Sequence, residues 1–220
     1  MPITSDFETE RTKILEALVK QDPFLGWTEA NIWNVCQDFG FDQRTMIRVF
    51  PSGVRDLILA HGATIDSAML TSANHLALLD MPVRKRISTL VMLRIQAMSS
   101  HREAVSRLIP LLYSPQYLSI GAETFYRSID LMWRTAGDTA TDFNYYSKRS
   151  LLSAVYCSTV LYWLTDNSSD YLETQAFLER RIANVMSIQK IKPKIKNCFP
   201  KIETSILSLF KALKSVRRAH

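Results

Sequence analysis

Apolar residues recur at helical spacing along nearly the whole of this chain. In residues 7–20, polar positions alternate with Ile14, Leu15, Leu18 and Val19, which share one helical face. Pro23 and Gly26 break that helix. Thr28 and Glu29 open a second one through Cys36, ending at Gly40, and a short third helix follows Asp42 across 45–49. After Phe50, Pro51, Ser52 and Gly53, Val54 starts a long apolar helix to about Leu70. Further helices are predicted at 82–98, 103–112 (ended near Pro115), 117–134, 141–164 and 171–188, with a polar turn at 166–170. That makes about nine helices before the C-terminal tail, without internal repeats. Glycine is scarce at 6 and proline at 8, too few for the turns of a β fold, so the class is all-α. At 220 residues and 47% hydrophobic, the chain can bury a sizeable core. The pattern divides into a helix-turn-helix-like module at 1–70, a helical bundle at 71–188, and a basic linker with an amphipathic helix at 189–220.

The last segment has the cleanest periodicity. Ile202, Ile206, Leu209, Phe210, Leu213 and Val216 fall on one helical face, and Lys211 and Lys214 take the other with several serines. Ahead of it, residues 190–196 alternate Lys with Ile, and Pro193 is expected to break any helix there. Residues 187–220 carry nine Lys and Arg against one Glu, a net of +8; the whole chain is +6, so the first 186 residues hold −2. An apolar stripe opposite lysines, after a polybasic linker, fits a helix lying on an anionic membrane surface. The competing reading docks this helix on the core, which gives no reason for the basic linker. The longest uncharged run, 150–165, is shorter than the roughly 20 residues of a membrane span and rich in serine, so it reads as a buried central helix.

Residues 40–57 have a more specific look: a Gly turn, a short helix, an aromatic, a second turn, then an apolar helix. This is similar to the N-terminal helix-turn-helix of TetR-type repressors. If it bound DNA, Gln43, Arg44, Thr45 and Arg48 would face the groove. Glu29, Asp38 and Asp42 share the module, and its Lys and Arg are few for the phosphate contacts that carry affinity, so a scaffold role is favoured over nucleic-acid binding.

Chemistry is hard to find. His61, His75, His101 and His220 lie at no metal-ligand spacing, and no Glu-x-x-His pair, phosphate loop or nucleophile elbow is present. Cys36, Cys157 and Cys198 are odd in number and sit in apolar surroundings, as buried thiols of a reducing compartment do. Asp138 and Asp142 lie one helical turn apart, but capping explains them more simply than acid–base work. The residues thus offer no catalytic constellation and no cofactor motif.

What stands out is the corner at 130–149. Gly137 closes an apolar helical run, where a helix C-terminus favours positive φ. Asp138, Thr139 and Thr141 offer side-chain oxygens to the next helix. Met132, Trp133, Phe143, Tyr145 and Tyr146 interleave there with Asp142, Asn144, Lys148 and Arg149. The residues allow two readings: a well-capped turn with inward aromatics, or an interaction surface anchored by aromatics and Arg.

The run 132–149 closely resembles the signature of the ubiquinone-biosynthesis accessory proteins, and further matches extend from Phe24, Gly26 and Trp27 through Phe50 and Pro51 to 177–182. The resemblance implies a TetR-like helical bundle, commonly a homodimer, that is not an enzyme. It implies an apolar pocket for an isoprenoid quinone or other lipid, for which Phe125, Leu131, Val160 and Trp163 are candidates. It implies a corner that binds the di-iron demethoxyubiquinone hydroxylase, here through Met132, Asp142, Tyr145 and Tyr146, with Arg149 nearby and Ile95 on an earlier helix. It also implies a membrane-binding C-terminal helix, here Ile202, Ile206, Leu209, Phe210, Leu213, Lys211 and Lys214. Tyr145 stands where the family usually has Trp, Ala140 replaces the usual Ser, and Ser147 replaces Thr. Asp6, Glu8 and Glu10 at the start argue against a secretory signal or a mitochondrial presequence, so a cytoplasmic protein on the inner membrane is expected. The alternative is a TetR-type regulator that senses a ligand and binds DNA.

Overall fold

The computed structural model describes residues 3–20, 26–140 and 143–195. Among them are nine α-helices and no strand: α1 (Ile3–Lys20), α2 (Glu29–Asp38), α3 (Gln43–Val49), α4 (Val54–Asn74), α5 (Val83–Met98), α6 (Arg102–Leu112), α7 (Leu118–Thr135), α8 (Phe143–Trp163) and α9 (Leu172–Ile195). This is the all-α class that the periodicity predicts.

Local chemistry accounts for the boundaries. Thr28, in extended backbone, starts α2 by accepting the Asn31 amide at 3.2 Å. At its end Gly40 takes φ +72; its N–H donates to the Gln37 carbonyl at 2.9 Å, and the Phe41 N–H donates to Cys36 at 2.8 Å. Asp42 then accepts the Thr45 amide at 2.8 Å and starts α3. The Thr45 hydrogen bonds hold the Asp42 carboxyl below its usual range.

One expectation fails. Pro193 does not end α9, which continues to Ile195. A proline removes one N–H and crowds the carbonyl four residues back, which weakens and bends a helix without necessarily ending it. The amphipathic segment 202–216 lies outside the described residues.

The chain forms two compact units, neither continuous in sequence: Met1–Ser72 with Gln96–Ser128, and Ala73–Ile95 with Ile129–His220. The first is built on the helix-turn-helix. Ile14, Leu15 and Leu18 of α1, Ile32, Val35 and Cys36 of α2, and Val49, Phe50, Leu57 and Ile58 form one buried cluster. Leu108 and Ile120 join it, with Leu111, Leu112 and Tyr117 packed against it. Those later residues explain why the first unit does not stop near residue 70 but takes in α6. Burial pushes the Cys36 thiol above its usual pKa, as for an inert buried thiol.

In the second unit α8 and α9 lie side by side. The Tyr162 and Phe177 rings stack at 4.5 Å, and Trp163, fully buried, meets Tyr171 edge-on at 6.1 Å. The polar turn at 166–170 is organised by Asp166. Its carboxylate accepts from the Ser168 N–H at 2.8 Å, and from the Thr174 N–H at 2.8 Å and hydroxyl at 2.5 Å. Asp166 thus caps α9 from six residues upstream of its first turn. Burial opposes its charge, yet these hydrogen bonds prevail and bring its pKa down to about 2.

Candidate functional site

The corner between α7 and α8 is where the sequence and the structure converge. α7 ends as Gly137 predicts: at φ +86 its N–H donates to the Arg134 carbonyl at 2.9 Å, and the Asp138 N–H donates to Trp133 at 2.9 Å. The Ala136 carbonyl is taken by the Arg86 guanidinium at 2.8 Å, which also donates to Leu79 and Met81 carbonyls, each at 2.7 Å. Arg86 therefore ties the turn before α5 to the end of α7. Nothing in the sequence marks it, because its partners are backbone oxygens, one of them fifty residues away.

Beyond the turn the corner is held by charge. Arg149 of α8 is 1% exposed. Its guanidinium forks between two carboxylates, donating through Nε to Asp130 Oδ1 at 2.7 Å and through Nη1 to Asp138 Oδ2 at 3.0 Å. The same Nη1 donates to the Tyr145 carbonyl at 3.2 Å. Asp130 also accepts from Arg134 Nε at 2.7 Å and from the Tyr145 hydroxyl at 3.0 Å. Asp138 also accepts from Lys148 Nζ at 2.6 Å. The Arg149 guanidinium lies 3.4 Å from the centre of the Tyr145 ring, and Lys148 lies 5.5 Å from that of Trp133. The Trp133 indole N–H donates to the Lys148 carbonyl at 3.1 Å, and Tyr145 and Tyr146 meet edge to face at 5.1 Å.

For both carboxylates burial opposes ionisation, but the cationic donors prevail and hold them below their usual range. The positive charge of Arg134 is reinforced in turn by Asp130. Asp138 is occupied as an anchor for α8, not as a proton donor or acceptor. Among the described residues of the corner, Asp130, Asp138, Arg134, Lys148 and Arg149 are paired with one another.

The six partner-surface candidates separate. Ile95 and Met132 are 0% exposed and, with Arg149, belong to the interior. Buried side chains of this kind are not part of the exposed surface of the described chain. Tyr145 and Tyr146 are half-buried at the surface, with Lys148 beside them. Asp142 lies outside the described residues. Of the lipid candidates, Phe125 is half-buried in the first unit; in the second, Leu131 is half-buried, and Val160 and Trp163 are buried. A shallow groove of about 350 Å³ in the second unit is lined by Ala73, Asn74, Leu76, Leu79, Asp80 and Thr135 among others, and by none of these four. The membrane-helix candidates Ile202, Ile206, Leu209, Phe210, Leu213, Lys211 and Lys214 all lie outside the described residues.

In the first unit Gln43, Arg44 and Arg48 are exposed on α3, but Arg48 is ion-paired with Glu10 of α1. The fold also brings together two histidines that the sequence separates: His61 and His101 meet edge to face at 5.2 Å, with Trp27 at 5.0 Å from His61. Burial lowers the His101 pKa and favours the neutral ring. No group of three metal-ligating side chains occurs among the described residues. No described helix is long and apolar enough to cross a membrane.

Residues 118–189, which contain the whole corner, match the COQ9 family. Mitochondrial ubiquinone biosynthesis proteins named COQ9, from Rattus norvegicus and Homo sapiens, are each 28% identical to the chain over 203 residues. Those alignments cover 87% of this chain and 64% and 63% of the relatives, so the chain spans just under two thirds of their length. A coq9 protein of Schizosaccharomyces pombe is 25% identical over 86% of this chain and 75% of its own. The crystal structure of a TetR transcriptional regulator from Nitrosomonas europaea superposes with a TM-score of 0.62 over 80% of this chain and 97% of that one, at 18% identity, which establishes the fold alone. The chain is thus similar to the COQ9 ubiquinone biosynthesis proteins over most of its own length, on a TetR-like fold, with the interlocked corner inside the segment that matches the COQ9 family.

Proposed function

We propose that this chain is a non-catalytic, lipid-binding accessory protein of ubiquinone biosynthesis. It presents an isoprenoid quinone intermediate to the di-iron demethoxyubiquinone hydroxylase at a membrane surface. The observation that carries the reading is the corner: it falls within the COQ9-matching segment, and its charge network serves to hold a surface pair of tyrosines in place. Preorganised aromatic anchors beside cations bind a protein partner with little ordering cost on association. An apolar ligand fits the task, since a polyprenylated quinone leaves the bilayer only if another apolar environment receives it. The relatives are named as mitochondrial; for this chain the proposal is peripheral attachment to the membrane that holds the quinone.

The test is co-purification with the hydroxylase, paired with mass spectrometry of extracted lipid. Replacing Tyr145 and Tyr146 together by Ala is expected to weaken capture of the hydroxylase roughly tenfold or more, the scale of a lost interface anchor. Undiminished capture removes the corner from the interface, and a protein that carries no lipid removes the lipid-binding half of the reading. Sequence-specific duplex binding that falls steeply with salt would return the helix-turn-helix to regulation. The Arg48–Glu10 ion pair and the neighbouring Asp42 favour the scaffold role instead.

A further inference from the structure

The turn between α4 and α5 presents apolar side chains that the fold does not need there. Leu76, Leu79 and Val83 are 39%, 65% and 51% exposed, within eight residues of one another. Leu78 between them is buried, so the turn is packed down with its other aliphatic side chains facing out. The backbone has little freedom to hide them. Arg86 clamps the Leu79 and Met81 carbonyls and joins them to Ala136, while the Asp80 and Met81 amides donate to Ala77 and Leu78. Leu76 and Leu79 line the groove together with Thr135. Arg84 and Lys85 follow Val83 directly and are exposed, Arg84 also donating to the Glu179 carbonyl at 3.3 Å; Asp80 is the one acid in the turn, and Arg134 at the nearby end of α7 is paired with Asp130.

A hydrogen-bonded turn that holds aliphatic residues in water beside Arg84 and Lys85 suits an apolar partner with anionic groups at its edge. Leu and Val are under-represented among protein-interface anchors, which favour Trp, Tyr and Arg. Aliphatic side chains beside Lys and Arg match the boundary between acyl chains and anionic headgroups. We propose that the turn at 76–85 is a membrane-contacting element that sets Leu76, Leu79 and Val83 into the interface of an anionic bilayer, with Arg84 and Lys85 on headgroup phosphates. The residues of this contact are not those of the C-terminal segment. It rests on the membrane-surface part of the proposed function, and it would present the groove and the α7–α8 corner to the same lipid layer.

The experiment uses the full chain and vesicles of phosphatidylcholine, with and without phosphatidylglycerol, read by flotation. Replacing Leu79 and Val83 by Glu is expected to weaken binding roughly tenfold or more, from the lost apolar burial. Replacing Arg84 and Lys85 by Ser is expected to lessen the preference for phosphatidylglycerol, and it serves as the independent variant should the Glu pair fail to fold. All four side chains are exposed, and Arg84→Ser gives up one exposed hydrogen bond to the Glu179 carbonyl, so circular dichroism should match the wild type and the melting midpoint should stay close to it. If the wild type binds and both variants bind equally well, the turn is not a membrane contact, and the tail reading stands alone. If the wild type binds neither vesicle, this proposal and the membrane part of the proposed function fall together. If the variants keep vesicle binding but lose capture of the hydroxylase, the turn belongs to a protein interface and the proposal is overturned.

Discussion

Arg149 shows how one residue can carry a corner. Its guanidinium is planar and has five donors, so it satisfies Asp130, Asp138 and the Tyr145 carbonyl at once while its face rests on the Tyr145 ring. Arg149→Met leaves two enclosed carboxylates with less compensation, and the expected loss is about 3–5 kcal/mol of stability by urea unfolding. Arg149→Lys keeps the charge but cannot fork, so an intermediate loss is expected. Adding Asp130→Asn to Arg149→Met is expected to recover part of the loss, since one uncompensated charge goes with it. Equal stability of Arg149→Met and wild type would show that Arg134 and Lys148 suffice to hold the acids.

Among the elements, helix ends matter more than helix middles. Gly137 and Gly40 both close helices in the left-handed region, but their surroundings differ. A Cβ at Gly40 meets nothing within 4 Å, whereas one at Gly137 meets Arg86 Nη1 and Leu79 Cδ2, each at 3.2 Å. Gly40→Ala is therefore expected to cost about 1–2 kcal/mol from backbone strain alone. Gly137→Ala adds crowding of the Arg86 clamp and should lower the melting midpoint further. Equal shifts for the two would mean that Leu79 and Arg86 move aside freely. The same contact links the element scale to function, because Gly137 lies against both the corner and the apolar turn.

At the scale of the whole molecule, acid is the sharpest probe. Asp166, Asp130 and Asp138 all have depressed pKa values in the fold. A depressed carboxyl contributes stability that is complete above its unfolded pKa of about 3.9 and is lost as pH falls through the folded value. For Asp166, at about 2, the loss falls between roughly pH 4 and pH 2 and amounts to about 2 kcal/mol. Urea midpoints across that range should fall for the wild type. In Asp166→Asn they should start lower near neutral pH and fall less steeply. Parallel curves would show that Asp166 contributes nothing to acid sensitivity.

The sequence by itself determined the nine helices of the described residues and most of their ends, and it singled out the corner. Those features depend on the order of nearby residues: apolar spacing, Thr28 and Asp42 as caps, and Gly40 and Gly137 as stops. The COQ9-like signature at 132–149 was legible for the same reason, as a local run. Only the tertiary structure decided which side of the corner faces in. Whether Met132, Ile95 and Arg149 lie under the surface or on it depends on where other helices pass. The same holds for Arg86, whose clamp joins segments fifty residues apart, and for Leu76 and Leu79, which the fold leaves outside. Periodicity reports that a face is apolar. Packing alone determines whether that face meets protein, lipid or water.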